Sequence, residues 1–402
     1  MRKIKQAAVF PEAQRGVEES SGAGKSLALA VENLGDRAEA VFARTPLLDP
    51  ELPETSDLDL LTVGEVDDFL PERLSMETAS PATRKIDLIW LPRERLDDVQ
   101  GLARLGLVGH RLLSSDVVYD RTGYATQQRS ALHAKFYDPE IQAQRIGGFL
   151  EMGFLTVQEI GVTWDFPALA LFWIHMASAA CVATILDGAR AFCPNVYTRP
   201  FDYVHRAEAE TQLRLEDFLI EALHLNVNTQ PLAEGLRRIY EIVSKSFPEP
   251  VWPDSMRQLT RYEYRYFGSR IEMEWRISVA EEMSRRGSYP AAVFYLRFWA
   301  YAVARLPMVH QRALEGVDVS FVRPSRAARP DLERLCPEIL DDLTLILCGD
   351  DRLTTGNVTD SLNMLFDIRR QALEFLDTKE LRFPELRAWR PYEVPQRAEE
   401  IH

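Results

Sequence analysis

Two short stretches decide how the first part of the chain folds: ETSDLDLLTV at residues 54–63 and KIDLIWL at residues 85–91. Each begins with charged residues alternating with large apolar ones and continues as an apolar run. A period of two is typical of a β-strand, in which successive side chains point to opposite faces of the sheet. The two stretches therefore predict two strands that each carry carboxylates on one face.

The predicted strands bring acidic side chains together. In the first, Asp57 and Asp59 share one face, opposite Leu58 and Leu60. In the second, Lys85 and Asp87 share one face. If the polar faces of neighbouring strands coincide, three carboxylates converge beside a lysine, and such oxygen ligands suit Mg²⁺ together with phosphate. Two such ions, about 3.5–4 Å apart, can stabilise both the attacking and the leaving oxygen of a phosphoryl displacement.

A purely structural interpretation is that acidic residues at strand starts only form turns. For a lone D-x-D pattern that interpretation is the better one. Here a second apolar strand carries Asp87 between Ile86 and Leu88, where an unpaired charge is costly. The combination favours a metal site.

Outward from these strands, the pattern predicts a small α/β head over residues 27–125. A helix is expected from Ser26, then a strand at 38–44 and a proline-rich loop at 45–56. The elements expected afterwards are a short helix at 65–74, a strand at 84–92, helix over 93–108 and a last short strand within 112–123.

Residues 126–402 predict a large helical body. Apolar residues recur there at helical spacing, in the stretches 207–223, 232–246, 274–286, 291–315 and 360–377. The proline-rich segment FPEPVWPD at 247–254 is where the body could divide into two bundles. The predicted fold class is thus α+β, a small mixed-sheet head followed by an all-α helical bundle.

The stretch FPALALFWIHMASAACVATIL, residues 166–186, is apolar enough to be considered as a membrane span. Pro167 in its first turn suits the start of a helix in a soluble protein. Small residues and His175 in its middle suit the centre of a helical bundle better than lipid. We therefore predict a core helix and no membrane association.

Charge and cysteine content limit the functional classes. Lys and Arg number 47 against 61 Asp and Glu, a net charge of −14, which disfavours binding of extended nucleic acid. The four cysteines form no C-x-x-C pair, which predicts buried thiols in a reducing compartment. The first residues contain no apolar segment of the secretory type, so a cytoplasmic location is expected.

The segments ETSDLDLLTV and KIDLIWL, with GHRLLSSDVVYDRTG at 109–123, resemble the nucleotidyltransferase superfamily of the DNA-polymerase-β type. A small head followed by a helical body is similar to bacterial aminoglycoside and minimal nucleotidyltransferases. The resemblance implies that Asp57 and Asp59 bind two Mg²⁺ ions together with a nucleoside triphosphate, with ATP the expected donor. It also implies that Asp87 binds the catalytic metal and helps to activate the acceptor hydroxyl, and Ser56 could contact phosphate.

Two further residues complete the predicted site. Lys85 could balance charge there, an inference from strand alternation and not from the family. The family places a Gly-Ser pair about a dozen residues before its first carboxylate, where backbone N–H groups and a hydroxyl hold the triphosphate. This chain has Thr45-Pro46 there; Thr45 could supply the hydroxyl, but proline has no N–H.

The expected function is transfer of a nucleoside monophosphate to a hydroxyl of a small-molecule acceptor. An acidic cleft would favour a cationic or neutral acceptor. Two alternatives stay open: a non-catalytic nucleotidyltransferase-like binding or regulatory module, suggested by Thr45-Pro46, and AMP transfer to a protein. The sequence does not choose the oligomeric state, and an oligomer is possible.

Overall fold

The computed structural model describes residues 34, 37–44, 58–64, 86–164, 166–193, 195–254, 256, 258–317, 328–349, 355–381 and 383. The chain divides into two compact units, Met1–Arg145 and Ile146–His402. The helix predicted at 65–74 lies outside the described residues, and of the one predicted from Ser26 only Leu34 is described, as helix.

The first unit contains a mixed four-stranded sheet. Its strands are β1 (Ala38–Arg44), β2 (Leu58–Gly64), β3 (Ile86–Pro92) and β4 (Asp116–Asp120). Their order is β3-β2-β1-β4. Strands β2 and β3 are parallel, whereas β1 runs antiparallel to both β2 and β4. The bounds of β1, β2 and β3 agree with the predicted strands to within two residues. Strand β4 lies inside the predicted stretch 112–123.

The two inner strands form the centre of this unit. Val41, Phe42 and Ala43 of β1 are fully buried, and residues 60–63 of β2 are buried without interruption. The alternation that predicts β2 therefore applies only to its start, because both faces of the sheet are covered further along. At the end of β2, a Cβ on Gly64 would lie 2.1 Å from the carbonyl oxygen of Arg37, so only glycine fits there.

After the first three strands, the described part of the first unit contains four helices up to the division. They are α1 (Arg93–Asp97), α2 (Val99–Arg104), α3 (Leu107–Ser114) and α4 (Tyr124–Phe136). Helix α3 packs against β1, α1 against β3, and α4 against β4 and α2. The sequence predicts continuous helix over 93–108; the chain instead forms short helices, with Asp98 accepting from the Gly101 N–H as the N-cap of α2.

The next helix, α5 (Pro139–Val162), contains the division between the units. The second unit continues with helices alone in its described part: α6 (Pro167–Gly188), α7 (Val204–Thr211), α8 (Leu215–Ala222), α9 (Thr229–Ser246), α10 (Gln258–Phe267), α11 (Arg270–Arg285), α12 (Tyr289–Ala304), α13 (Leu306–Leu314), α14 (Ala328–Leu335), α15 (Leu340–Cys348) and α16 (Thr355–Thr378). Two 3₁₀ turns, Pro200–Asp202 and Pro337–Ile339, lie between them.

Helices α6 and α12 form the centre of the helical unit. Every residue of α6 from Ala168 to Gly188 except Met176 is buried. Helix α12 contacts α9, α11 and α15, and α6 contacts α15 and α16. Aromatic rings join the two central helices: the Phe172 and Tyr301 ring centroids lie 4.0 Å apart.

Helix α6 is the predicted core helix. Among the described residues it is the one helix long and apolar enough to cross a membrane, and 94% of its most apolar window is buried inside the protein. A helix that is apolar on all sides and enclosed by other helices is a core element. The fold as a whole is α+β, a small mixed sheet followed by helices, as predicted.

Candidate functional site

The sheet brings two of the predicted carboxylate positions together. Asp59 is the second residue of β2 and Asp87 the second residue of β3, and the parallel register pairs them directly. On the other side, Arg44 at the end of β1 pairs with Asp59 across the antiparallel ladder. Arg44, Asp59 and Asp87 thus occupy one line across the sheet, which we call the Asp59 row.

The local sequence explains why this row lies at an end of the sheet. Both parallel strands begin with an apolar residue followed by aspartate, and the apolar runs after the aspartates provide the buried part of each strand. Because parallel strands in register start at the same edge, both aspartate positions fall at that edge. Neighbouring strands lie about 4.8 Å apart, close enough for two carboxylates to share one cation.

The remaining predicted site residues lie outside the described residues. These are Asp57, Thr45, Ser56 and Lys85. The roles of Asp57, Asp59 and Asp87 in metal binding and catalysis, and those of the other three in holding the nucleotide, stay predictions. Within the described residues, no group of three His, Cys, Asp or Glu side chains is arranged to hold a metal ion.

Strand β4 begins with a carboxylate near this edge of the sheet, but strand alternation puts it on the opposite face from the Asp59 row, because it pairs with the neighbour of Arg44. Asp116, its first residue, pairs with Ala43, one position inside the Asp59 row, and its side chain is exposed. The strand alternation of DVVYD could have drawn attention to it, but its place beside β1 depends on a strand order that the pattern does not give.

The other aspartate of β4 has a structural role. The carboxylate of Asp120 is buried and accepts from the N–H of Gly123 at 2.9 Å. It also accepts from the N–H and the hydroxyl of Thr126, each at 2.8 Å. Gly123 has a φ of +77°, which glycine adopts without strain. Asp120 therefore fixes the turn into α4.

Two polar atoms in the sheet interior have no hydrogen bond in the described part of the chain. They are the Thr62 hydroxyl and the indole N–H of Trp90, which occupy paired positions on β2 and β3. The Arg37 guanidinium lies 5.2 Å from the Trp90 ring centroid. These atoms belong to the interior of the sheet, away from the row at its edge.

In the helical unit, a cleft of about 220 Å³ opens between α9 and α11. Arg237 on its wall pairs with Glu281 at 2.9 Å and with Glu274 at 3.7 Å. The hydroxyl of Tyr240 donates to the Gly268 carbonyl oxygen at 2.9 Å. Two of its polar groups are therefore already occupied by partners within the unit.

The centre of the helical unit contains two fully buried basic side chains. His175 stacks on Phe294 with ring centroids 3.7 Å apart, and neither ring nitrogen forms a hydrogen bond of ordinary geometry with a described residue. Burial, and secondarily the charge of Arg297, hold the pKa of His175 well below its usual value; the Tyr197 backbone opposes this with the smallest effect. His175 is therefore a neutral core histidine.

All four cysteines are buried and free, as predicted. Burial raises the pKa of Cys181 to about 12 and, with the neighbouring Glu338, that of Cys336 to about 11. Thiols of this kind are poor nucleophiles at neutral pH.

No protein-family model matches the chain, and no curated protein matches it. Among solved structures, the chain is similar to the crystal structure of a nucleotidyltransferase-like protein from Exiguobacterium sibiricum 255-15. The similarity has a TM-score of 0.27 and 11% sequence identity, and covers 66% of this chain and 91% of the other.

Proposed function

We propose that the protein is a metal-dependent nucleotidyltransferase that moves a nucleoside monophosphate, AMP from ATP as the expected donor, onto a hydroxyl of a small molecule. The observation that carries the proposal is the register of Asp59 opposite Asp87 at the start of two parallel strands. Two carboxylate positions side by side suit hard divalent cations such as Mg²⁺. The D-x-D pattern places Asp57 two residues before Asp59 in the sequence.

In the proposed reaction, the acceptor hydroxyl oxygen forms a bond to the α-phosphorus of the triphosphate. The bond from that phosphorus to the bridging oxygen breaks, and pyrophosphate leaves with the electron pair. The hydroxyl proton passes to a carboxylate, for which Asp87 is the candidate. Asp57, Asp59 and Asp87 would hold Mg²⁺, which when bound supplies positive charge opposite the phosphate oxygens. Ser56, Thr45 and Lys85 would contact the triphosphate or balance its charge.

The acceptor class follows from the charge of the chain. A net charge of −14 attracts cations, does not repel neutral molecules and repels anionic polymers. Catalysis of this type depends on positioning the two substrates and on electrostatics. A small cationic or neutral polyol therefore fits the proposal best.

The test is mass spectrometry of the protein incubated with Mg²⁺, the four nucleoside triphosphates and a panel of aminoglycosides, sugars and nucleosides. Release of pyrophosphate with a mass gain of one nucleotide on an acceptor is the expected result. The variants Asp59→Asn and Asp87→Asn should each lower turnover by at least about a thousandfold. Glu94→Gln, an exposed carboxylate beyond the far end of β3, is the matched control and should leave turnover unchanged. Wild-type turnover in either aspartate variant would contradict the assignment.

A second candidate function is a non-catalytic nucleotide-binding module, favoured by Thr45-Pro46 in place of the family's Gly-Ser pair. A ligand that binds only the folded state raises the melting temperature. Stabilisation by Mg²⁺ and a triphosphate without turnover on any small acceptor would favour this module. Labelling of a partner protein with AMP would instead identify a protein acceptor. No stabilisation by any of the four triphosphates would argue against a nucleotide site of either kind.

A further inference from the structure

The cleft between α9 and α11 is lined by charged side chains of both signs. Its walls are formed by side chains within residues 237–244 of α9 and 270–274 of α11, and one of them, Met273, is buried. The volume of about 220 Å³ is below the roughly 300–1,000 Å³ of pockets that hold drug-sized ligands. The cleft therefore suits a small polar molecule and is too small for a nucleotide.

Contacts between the two helices hold the walls in place. Arg237 of α9 donates to the carboxylate of Glu281 of α11 at 2.9 Å. The hydroxyl of Tyr240 donates to the carbonyl oxygen of Gly268, directly before α11, at 2.9 Å. Because these contacts join the walls directly, the cleft is formed before any ligand binds.

Two charged side chains of the cleft have no ion-pair partner among the described residues. They are Arg270 on α11 and Glu241 on α9, and both are exposed. Burial raises the pKa of Tyr240, whereas a hydrogen bond with Ser244 and then the charge of Arg270 lower it. The charge of Arg270 therefore lies close to the Tyr240 hydroxyl, in the cleft.

The helix ends beside the cleft add partial charges of the same sign as these two side chains. Arg270 is the first residue of α11, where the free N–H groups of the first turn carry positive charge. Glu241 lies near the end of α9 at Ser246, where the carbonyl groups carry negative charge. Arg237 and Glu274 have the opposite arrangement but pair with each other at 3.7 Å. One wall is thus positive and the other negative.

We propose that this cleft binds a free α-amino acid, with its carboxylate on Arg270 and its ammonium group on Glu241. Such a zwitterion supplies one partner for each unpaired charge. The Ser244 hydroxyl donates to the Glu241 carbonyl oxygen at 3.3 Å, so its own oxygen can accept from the ammonium group. All these residues belong to the helical unit, and the amino acid is independent of the nucleotide proposed above.

The competing explanation is that Arg270 and Glu241 are ordinary surface charges that only water contacts. Isolated exposed charges attract a single ion of opposite sign only weakly. The two explanations differ in what a ligand must contain. A site that holds both groups of one molecule requires both, because the second group binds without a further loss of translational freedom. Separate surface charges would bind an amine or a carboxylate as weakly as the whole amino acid.

The experiment is isothermal titration calorimetry of the full chain with each standard amino acid. Each one is compared with its N-acetyl derivative, which lacks the ammonium group, and with the amine that lacks the carboxylate. The variants are Arg270→Met and Glu241→Gln. Arg285→Met is the matched arginine control, since Arg285 is exposed and lies about four turns further along α11. Glu221→Gln, an exposed carboxylate of α8, is the second control.

We expect at least one amino acid to bind the wild-type protein at least about tenfold more tightly than either of its derivatives. Arg270→Met should weaken binding of that amino acid by about 10–100-fold, the loss of a charge-assisted hydrogen bond, and should leave the affinity for the amine unchanged. Glu241→Gln should weaken the amino acid similarly and leave the N-acetyl derivative unchanged. Both controls should match wild type.

A wild-type protein that binds none of the amino acids at millimolar concentration would overturn the proposal. Equal affinities for an amino acid and its amine, or an unchanged amino-acid affinity in Arg270→Met, would do the same. Circular dichroism and the melting temperature of each variant separate a loss of binding from a loss of folding. Weaker binding by a variant that melts like wild type supports the site.

Discussion

Both compact units bury an arginine that donates to backbone carbonyl groups at helix ends, but they bury it to different depths. In the sheet-containing unit, Arg145 is 5% exposed and donates to the carbonyl oxygens of Ala103 at 2.8 Å and Phe136 at 2.6 Å. Its guanidinium carbon lies 4.0 Å from the centroid of the Phe136 ring. Those carbonyls belong to the C-terminal ends of α2 and α4.

In the helical unit, Arg297 projects from the middle of α12 and is fully buried. It donates to the carbonyl oxygens of Leu223, of His224 at 3.3 Å and of Ile346 at 3.2 Å. Burial lowers the pKa of Arg297 to about 10, which still leaves the side chain charged at neutral pH.

The two arginines differ in what else can satisfy the helix ends beside them. A helix C-terminus carries partial negative charge and several carbonyl groups without helical partners. At the edge of a unit, water can donate to those carbonyl groups as well, and aromatic stacking can help to hold the side chain that does so. At the centre, where α8 and α15 both end beside α12, the one side chain of Arg297 donates to carbonyl groups at the ends of both helices.

The largest effect is therefore expected from Arg297→Met. It leaves three carbonyl oxygens, two of them fully buried, without this donor and should lower the free energy of unfolding by about 3–5 kcal/mol. Urea unfolding followed by circular dichroism measures the change. Arg370→Met, an exposed arginine of α16, should stay within about 0.5 kcal/mol of wild type. A loss under about 1 kcal/mol for Arg297→Met would show that water reaches those helix ends.

Arg145→Met should cost less, about 2 kcal/mol, because methionine can keep the contact with the Phe136 ring while two carbonyls lose a donor. The same unfolding measurement applies. If Arg145→Met is as costly as Arg297→Met, then depth of burial is not what separates the two arginines.

The pH dependence of stability tests how far the core around Arg297 tolerates a second charge. The folded-state pKa of His175 lies well below its unfolded value of about 6.5. As pH falls below 6.5 the unfolded chain gains a proton that the folded protein does not, so stability falls by up to about 1.4 kcal/mol per pH unit until the folded pKa is reached.

His175→Phe removes this contribution and keeps a ring against Phe294. We expect the variant to match or exceed wild type at pH 7.5 and to lose about 1.4 kcal/mol less between pH 7.5 and pH 5.5. Thermal melts at both pH values measure this difference. His205→Gln, an exposed histidine of α7, is the control. Parallel pH profiles for wild type and His175→Phe would mean that the ring is protonated in the folded state.

The smallest effect is expected in the sheet, where Thr62 is fully buried with a hydroxyl that lacks a hydrogen bond among the described residues. Thr62→Val removes an unsatisfied polar group and should raise the free energy of unfolding by up to about 1 kcal/mol. Thr126→Val is the matched change in the same unit. It should lower that free energy by about 1 kcal/mol, because the Thr126 hydroxyl donates to Asp120.

The strands were predictable because alternation and apolar runs are local properties of the sequence. Helix boundaries were less so: the expected helix over 291–315 ends at Ala304 and resumes at Leu306, and that over 93–108 breaks at Asp98. These breaks reflect capping and packing, which periodicity does not encode.

At the candidate site, the sequence singles out Asp59 and Asp87 because charges at the start of apolar strands are unusual. It does not reveal that Arg44 pairs with Asp59, since which residues oppose each other depends on strand order and register. Arg297 was missed for a related reason. An arginine within an apolar helix looks like a solvent-facing residue until the ends of two other helices are found beside it.

Helix α6 has a consequence for synthesis of the protein in the cell. It is apolar on every side, and one of the helices that enclose it, α16, is the last helix of the described chain. The ribosome completes α16 roughly 190 residues after α6, which at about 5–20 residues per second takes on the order of ten to forty seconds. During that time an apolar helix of 22 residues lacks one of the helices that bury it in the folded protein. The nascent chain should therefore be a chaperone client, and messages truncated before α16 should yield aggregates.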